Sequence, residues 1–256
     1  MSRTNKSIAV FLCLSLFSFH ALSQESTTHF AQFWNELTFT RPLKGKWALE
    51  LNVGQTFTSQ PDKGNPFYKS SQFYIRGWAH FYMNHRWKFS FSYGYYYNKD
   101  VPEINQRNYP ELRSAMEALY FIKKASRYTL SARFRIEDRH IQNDSNYYEA
   151  VYRFREMIKA VVPFNSKFIR EGVIYGILSD EVFFKTASNI SGPTFFDRNR
   201  FTIGAGYSLT DNVQLELSYN NEILPRPTST ASYNAGRLNI IINNFLPDVK
   251  QVIKKL

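Results

Sequence analysis

The chain has 256 residues, a formal net charge of +11 and a pI near 9.6, and 17% of it is aromatic, with 23 Phe, 17 Tyr and 4 Trp. So many rings beside only 11 Gly and 10 Pro exclude a disordered or collagen-like chain, and a single cysteine excludes an intramolecular disulfide framework. A mean hydropathy of −0.41 is too polar for a bundle of membrane helices.

In chain order, Arg3 and Lys6 precede an apolar run from Ile8 to Phe19, and Ala21 and Ser23 place small residues at −3 and −1 of a cut before Gln24. This is the pattern of a secretory signal peptide over 1–23; the run falls short of the ~20 residues that anchor a helix in a bilayer. Cys13 follows Val10-Phe11-Leu12 instead of the small residues of a lipoprotein cleavage site, which argues against lipidation. Cleavage removes two bases and no acid, so the mature chain carries +9 and no thiol.

From residue 24 the dominant signal is alternation with a period of two. Trp47, Leu49, Leu51 and Val53 alternate with Ala48, Glu50, Asn52 and Gly54, and Trp87, Phe89, Phe91, Tyr93, Tyr95 and Tyr97 with Lys88, Ser90, Ser92 and Gly94. Further on, Leu130, Ala132, Phe134 and Ile136 alternate with Ser131, Arg133, Arg135 and Glu137, and the rows Phe201–Leu209 and Val213–Tyr219 repeat the split. Each is a strand with one apolar face. Eleven such segments are predicted, over 29–41, 46–59, 70–83, 86–98, 110–123, 127–139, 148–162, 168–186, 198–209, 212–224 and 235–246. The stretch from Pro110 to Ala118 has helix propensity, but its apolar parity favours a strand. Between 168 and 186 the alternation slips near Ser179-Asp180-Glu181, where a bulge would restore it.

Short connections alternate with longer ones rich in Pro, Asn, Ser and Asp, which marks an up-and-down antiparallel meander. A soluble sandwich or lipocalin-like barrel alternates too, but segments of 11 to 14 residues exceed the ~5–6 usual for soluble strands. Aromatics at segment ends, among them Trp34, Trp47, Phe57, Trp87, Tyr97, Tyr128, Tyr148 and Tyr219, suit an interfacial girdle. The expected fold is therefore an all-β, up-and-down antiparallel transmembrane β-barrel of about 10–12 strands over 24–246. An even strand number is the rule for bacterial single-chain barrels, so eleven segments leave the count open between ten and twelve. Residues 247–256 form a short basic tail, with Pro247 and Asp248 at one end and Lys254-Lys255 at the other.

If the apolar face meets lipid, the lumen inherits the ionic residues. Those predicted to line it are Glu36, Arg76, His80, Arg113, Glu117, Arg133, Arg135, Glu137, Arg139, Arg153, Arg155, Glu181, Arg198 and Arg200, with Glu50, Glu149, Glu216 and Glu222 on the same face. Two readings stay open: interlocking Arg–Glu columns that plug a small barrel, or a narrow Arg-lined passage or pocket favouring small anionic solutes.

The runs Arg133-Phe134-Arg135-Ile136-Glu137-Asp138-Arg139, Tyr152-Arg153-Phe154-Arg155, Asp180-Glu181-Val182-Phe183, Arg198-Asn199-Arg200 and Gly204-Ala205-Gly206-Tyr207, with Trp34-Asn35-Glu36 and Gly94-Tyr95, occur in an order that resembles the family catalogued as domain of unknown function 2490. The resemblance covers nearly all of the mature chain and implies a bacterial outer-membrane β-barrel with no established activity. Asp138 stands where that pattern expects Gln.

The same residues weigh against other classes. His80, His85 and His140 are candidates for a lipid hydrolase on a barrel wall, but no nucleophile motif accompanies them, so the chain is not expected to be an enzyme. Five histidines without ligand spacing predict no metal or other cofactor. Export and dispersed bases argue against nucleic acid. The expected partners are outer-membrane lipid including lipopolysaccharide and small anionic solutes, at the outer membrane of a Gram-negative bacterium. The alternative is a plugged structural or adhesion barrel acting through its external loops.

Overall fold

The computed structural model describes residues 26–99, 101, 108–124, 127–227 and 229–245. The predicted leader and the tail 247–256 lie outside these. Eleven strands close into one barrel: β1 Thr27–Pro42, β2 Trp47–Thr58, β3 Lys69–Tyr82, β4 Trp87–Asn98, β5 Pro110–Lys123, β6 Thr129–Gln142, β7 Tyr148–Pro163, β8 Ile174–Lys185, β9 Phe196–Ser208, β10 Val213–Pro225 and β11 Thr230–Ile242. Neighbours in sequence pair antiparallel throughout, so the meander read from the alternation stands. The Pro110 segment is a strand whose outward row includes Leu112, Met116 and Ala118.

The expectation of an even strand number is overturned. The barrel closes by pairing β1 with β11 in parallel, from Thr27 opposite Thr230 to Phe39 opposite Ile242. An up-and-down meander with an odd number of strands has its first and last strands running the same way, and only a parallel ladder can then join them. β1 therefore starts at the end that carries 59–68, 143–147 and 186–195, and β11 stops at the opposite end, which carries the turns 43–46, 83–86 and 209–212.

Three local expectations also change. Residues 164–173 form a connection, with Gly172 in the left-handed region at φ 76°, so the segment predicted from 168 begins as a strand only at Ile174. The expected slip at Ser179-Asp180-Glu181 is absent; the irregularity falls later, where Phe183 pairs with Arg198 and Phe184 with Phe196, leaving Asp197 unpaired. That bulge turns the consecutive residues Asp197 and Arg198 into the lumen together. Trp34, read from its position as a girdle residue, shares the inward row of Gln32, Glu36 and Thr38, and its ring lies under the Arg200 guanidinium at 5.1 Å.

The barrel is inside-out relative to a soluble domain. The outward row of β4 is Trp87, Phe89, Phe91, Tyr93, Tyr95 and Tyr97, all exposed, whereas the buried positions of the wall include Glu111, Glu137, Glu222, Arg139 and Arg153.

Candidate functional site in the barrel lumen

Because side chains alternate across a strand, one residue in two along β5–β10 points at the barrel axis, and these rows are rich in Arg and Glu. Their side chains form a lattice of ion pairs, one set around Glu111 and a larger one running from Glu117 to Asp197. Glu111 accepts from Arg113 and from Arg139, each at 2.7 Å. Glu137 accepts from Arg153 at 2.7 Å and Arg155 at 2.6 Å, and Arg155 reaches on to Glu181 at 2.8 Å. Glu181 also takes Arg133, and Glu117 takes Arg135 at 2.6 Å. Glu222 holds Arg198 at 2.9 Å together with Arg200, and Asp197, delivered by the bulge, holds Arg198 at 3.0 Å and Arg226 at 3.1 Å. Each of these carboxylates lies within ion-pair distance of two or more guanidiniums, which suits a buried charge because its remaining lone pairs find donors.

Aromatic rings fill the gaps between the forks. Phe183 is completely buried with the guanidiniums of Arg155, Arg200, Arg153 and Arg198 at 4.4, 5.0, 5.4 and 5.6 Å from its centroid. Trp78 lies between Arg135 at 4.7 Å and Arg76 at 5.3 Å, and Tyr96 carries Arg113 at 3.8 Å. A cation held over a ring face is attracted by the ring quadrupole, more strongly where water is excluded. On the opposite wall Glu36 joins Arg237 at 2.8 Å, Arg76 at 3.4 Å and the Tyr74 hydroxyl.

Of the residues predicted to line the lumen, Glu36, Arg76, His80, Arg113, Arg133, Arg135, Arg139, Arg153, Arg155, Glu181, Arg198 and Arg200 face one common cavity of about 710 Å³. Glu117 and Glu137 are buried behind the guanidiniums they hold. Sequence reasoning passed over Lys88, Glu111, Lys159, Lys185, Asp197 and Arg237. All but Asp197 sit on the inward parity of their strands, so the alternation itself was the signal that could have found them.

The two ends of the lumen differ. At the long-loop end two apolar clusters are buried among polar residues such as Thr58, Asn98 and Lys185: Ile141 and Val151 are 0% exposed and pack with Val101 and Ile190 from two loops, while Phe30, Leu224 and Tyr233 form the second cluster. At the other end Thr40, Tyr82, Lys88, Ile241 and Asn243 line the cavity and none is buried, Tyr82 being 38% exposed.

His80 makes a contact of 2.9 Å from Nδ1 to the Ser90 hydroxyl, and its Nε2 lies 3.4 Å from Glu50. Ser90 is not among the residues that line the cavity, and it is paired on both sides, to His80 and Glu117, so the sheet ladder occupies the backbone around it. His140 lies on the outward face beside Asp138 at 3.1 Å. Among the described residues no three His, Cys, Asp or Glu side chains gather as metal ligands.

Comparison with known proteins adds a family. A family model described as Protein of unknown function (DUF2490) matches residues 31–233. No curated protein matches the chain. A solved structure described as a bacterial polysaccharide outer membrane secretin is similar with a TM-score of 0.47 at 9% identity, over 76% of this chain and 63% of that one.

Proposed function

The chain belongs to the family described as Protein of unknown function (DUF2490), and from that premise we propose that it is an outer-membrane barrel whose basic lumen admits and binds small anionic solutes from its short-turn end. The observation that carries this reading is the inverted polarity of the wall. Large apolar side chains such as Leu217 and Met116 stand 62% and 66% exposed on the outside, while paired charges fill the inside. In water that arrangement wastes the hydrophobic effect; in lipid it satisfies both faces.

Strands of 12 to 16 residues suffice for the ~9–11 of a tilted membrane strand. Trp47 and Trp87 at one end and Tyr97 and Tyr148 at the other supply outward rings at two levels. With short turns facing the periplasm and long loops facing out, lipopolysaccharide is the expected neighbour of the long-loop rim. The side chains buried beneath that rim, Ile141, Val151, Thr58 and Asn98 among them, favour a binding lumen over an open passage, and the geometry around His80 favours a barrel without catalysis.

The test uses the absence of any cysteine after Cys13. Single Thr40→Cys and Thr58→Cys proteins are reconstituted in liposomes of known orientation and exposed to a charged, membrane-impermeant maleimide. Thr40, which lines the cavity near the short-turn end, is expected to react from that side, and Thr58, 0% exposed at the other end, is expected to stay unlabelled. Labelling of both from either side would replace the one-ended lumen with a through-pore.

A further inference from the structure

The cations that point into the lumen fall into two classes. Every arginine that the strands turn inward has a carboxylate oxygen within 4.0 Å, and Lys185 donates to the Gly192 carbonyl at 2.6 Å. Lys88 and Lys159 differ. Both line the cavity, yet among the described residues neither ammonium has a carboxylate oxygen within 4.0 Å or a hydrogen-bond acceptor. The acids around this part of the lumen, Glu117, Glu50 and Glu216, are engaged elsewhere, Glu117 with Arg135 at 2.6 Å and Arg133 at 3.7 Å. Glu50 accepts from Asn52 at 3.0 Å and faces His80, and Glu216 accepts from the Tyr175 hydroxyl at 3.0 Å and the Asn239 amide at 3.4 Å.

Register brings the two lysines toward one space. Lys88 on β4 heads the row Lys88, Leu119, Arg133, Met157 across β5, β6 and β7, and Lys159 is the next inward residue after Met157. Their backbones therefore lie three strand spacings apart across the wall, about 14 Å, and two residues apart along the strands, about 7 Å. Both sit on the inward parity of their strands and line the same cavity.

Resting on the reading that the lumen admits small anions, we propose that Lys88 and Lys159 are the two arms of a clamp for a small phosphate-bearing solute. Ammonium is a compact point charge suited to phosphate, whereas the guanidinium forks that match planar carboxylates are already occupied in the lattice. A phosphate monoester carries roughly −1.5 to −2 at pH 7, which balances two lysines; a monocarboxylate balances one. A space of about 710 Å³ falls within the range of roughly 300–1,000 Å³ typical of small-molecule sites and is too small for a polymer.

Full-length protein in detergent micelles is titrated calorimetrically with inorganic phosphate, pyrophosphate and, as a carboxylate of matched charge, succinate. Phosphate and pyrophosphate are expected to bind and succinate to bind at least about tenfold more weakly. Lys88→Gln and Lys159→Gln should each cost about tenfold and the double variant should abolish the signal, while Lys63→Gln in the exposed 59–68 loop should change nothing. Heat-dependent gel migration checks that each variant remains a closed barrel. Phosphate binding that survives in the double variant, or succinate binding of equal strength, overturns the clamp and leaves an anion-binding lumen standing. Silence with all three anions overturns both.

Discussion

The Tyr74 ring lies over Gly54 of the neighbouring strand, in space that a Cβ at residue 54 would invade, and its hydroxyl thereby reaches across β2 to donate to Glu36 on β1. Tyr175 does the same on the far side of the barrel, crossing Gly206 of β9 to donate to Glu216 on β10 at 3.0 Å. Each tyrosine ties three consecutive strands from the inside. Gly54→Ala and Gly206→Ala are expected to displace the ring and destabilise the barrel by about 1–3 kcal/mol, the usual cost of overpacking. Gly77 has nothing within 4 Å of the added carbon, so Gly77→Ala should be neutral or slightly stabilising. Guanidinium unfolding in micelles, followed by tryptophan fluorescence, measures all three. Equal losses at the three positions would mean that the rings bear no part of the effect.

Glu137 is 1% exposed and sits between Arg153 and Arg155, with Arg135 at 3.6 Å. Removing its charge strands guanidiniums that have been taken out of water, and breaking one side of a buried pair costs about 3–5 kcal/mol. Glu137→Gln should therefore lower the unfolding midpoint sharply. An added Arg153→Met should restore part of the loss, because the orphaned charge is then gone. A double variant less stable than the single one would contradict the lattice as a charge-balanced unit.

Most of the wall is legible in the sequence because the period of two is a backbone property that neighbours seldom override. Arg133, Arg135, Glu137 and Arg139 must share a face once β6 is a strand, and they do. What the alternation hides is non-local. Nothing near Thr27 signals that it will lie beside Thr230, so the parallel closure could not be read, and the eleven segments that the alternation does show were set against the rule of even strand numbers. A single bulge at Asp197 shifts parity without a glycine or proline to announce it. Phe183 and Trp78 look like lipid-facing residues by type, yet they point inward because a guanidinium can rest on a ring. The same confusion of residue type with direction sent Trp34 to the girdle.

The cap at the long-loop end rests on few residues. Val101, Ile141 and Val151 are buried together above the lattice, so the protein in planar bilayers should show no sustained current. Ile141→Ser with Val151→Ser loosens that cluster and is expected to produce measurable, anion-preferring conductance, because the lumen below carries more bases than acids. Adding Arg133→Gln and Arg153→Gln should then reduce the anion preference. Large steady currents from the parent protein would show that these side chains close nothing.

The outward face offers a test of the lipid environment itself. Glu156 lies midway along β7 on the outside, opposite Phe134 on β6 and Val182 on β8, and is exposed. A charge on the lipid face of a barrel is unfavourable by up to about 2–4 kcal/mol at the midplane for Lys or Arg, and by less for an acid. If this surface meets acyl chains, Glu156→Leu should leave the barrel equally stable or raise its unfolding free energy in phosphatidylcholine liposomes by about 1 kcal/mol. In a protein whose outer wall faced water, the same change would add one more exposed apolar side chain to a crowded patch, which promotes aggregation without a gain in stability. Paired unfolding curves in liposomes therefore decide which solvent the wall is built for, and a loss of stability on removing this carboxylate would count against the membrane.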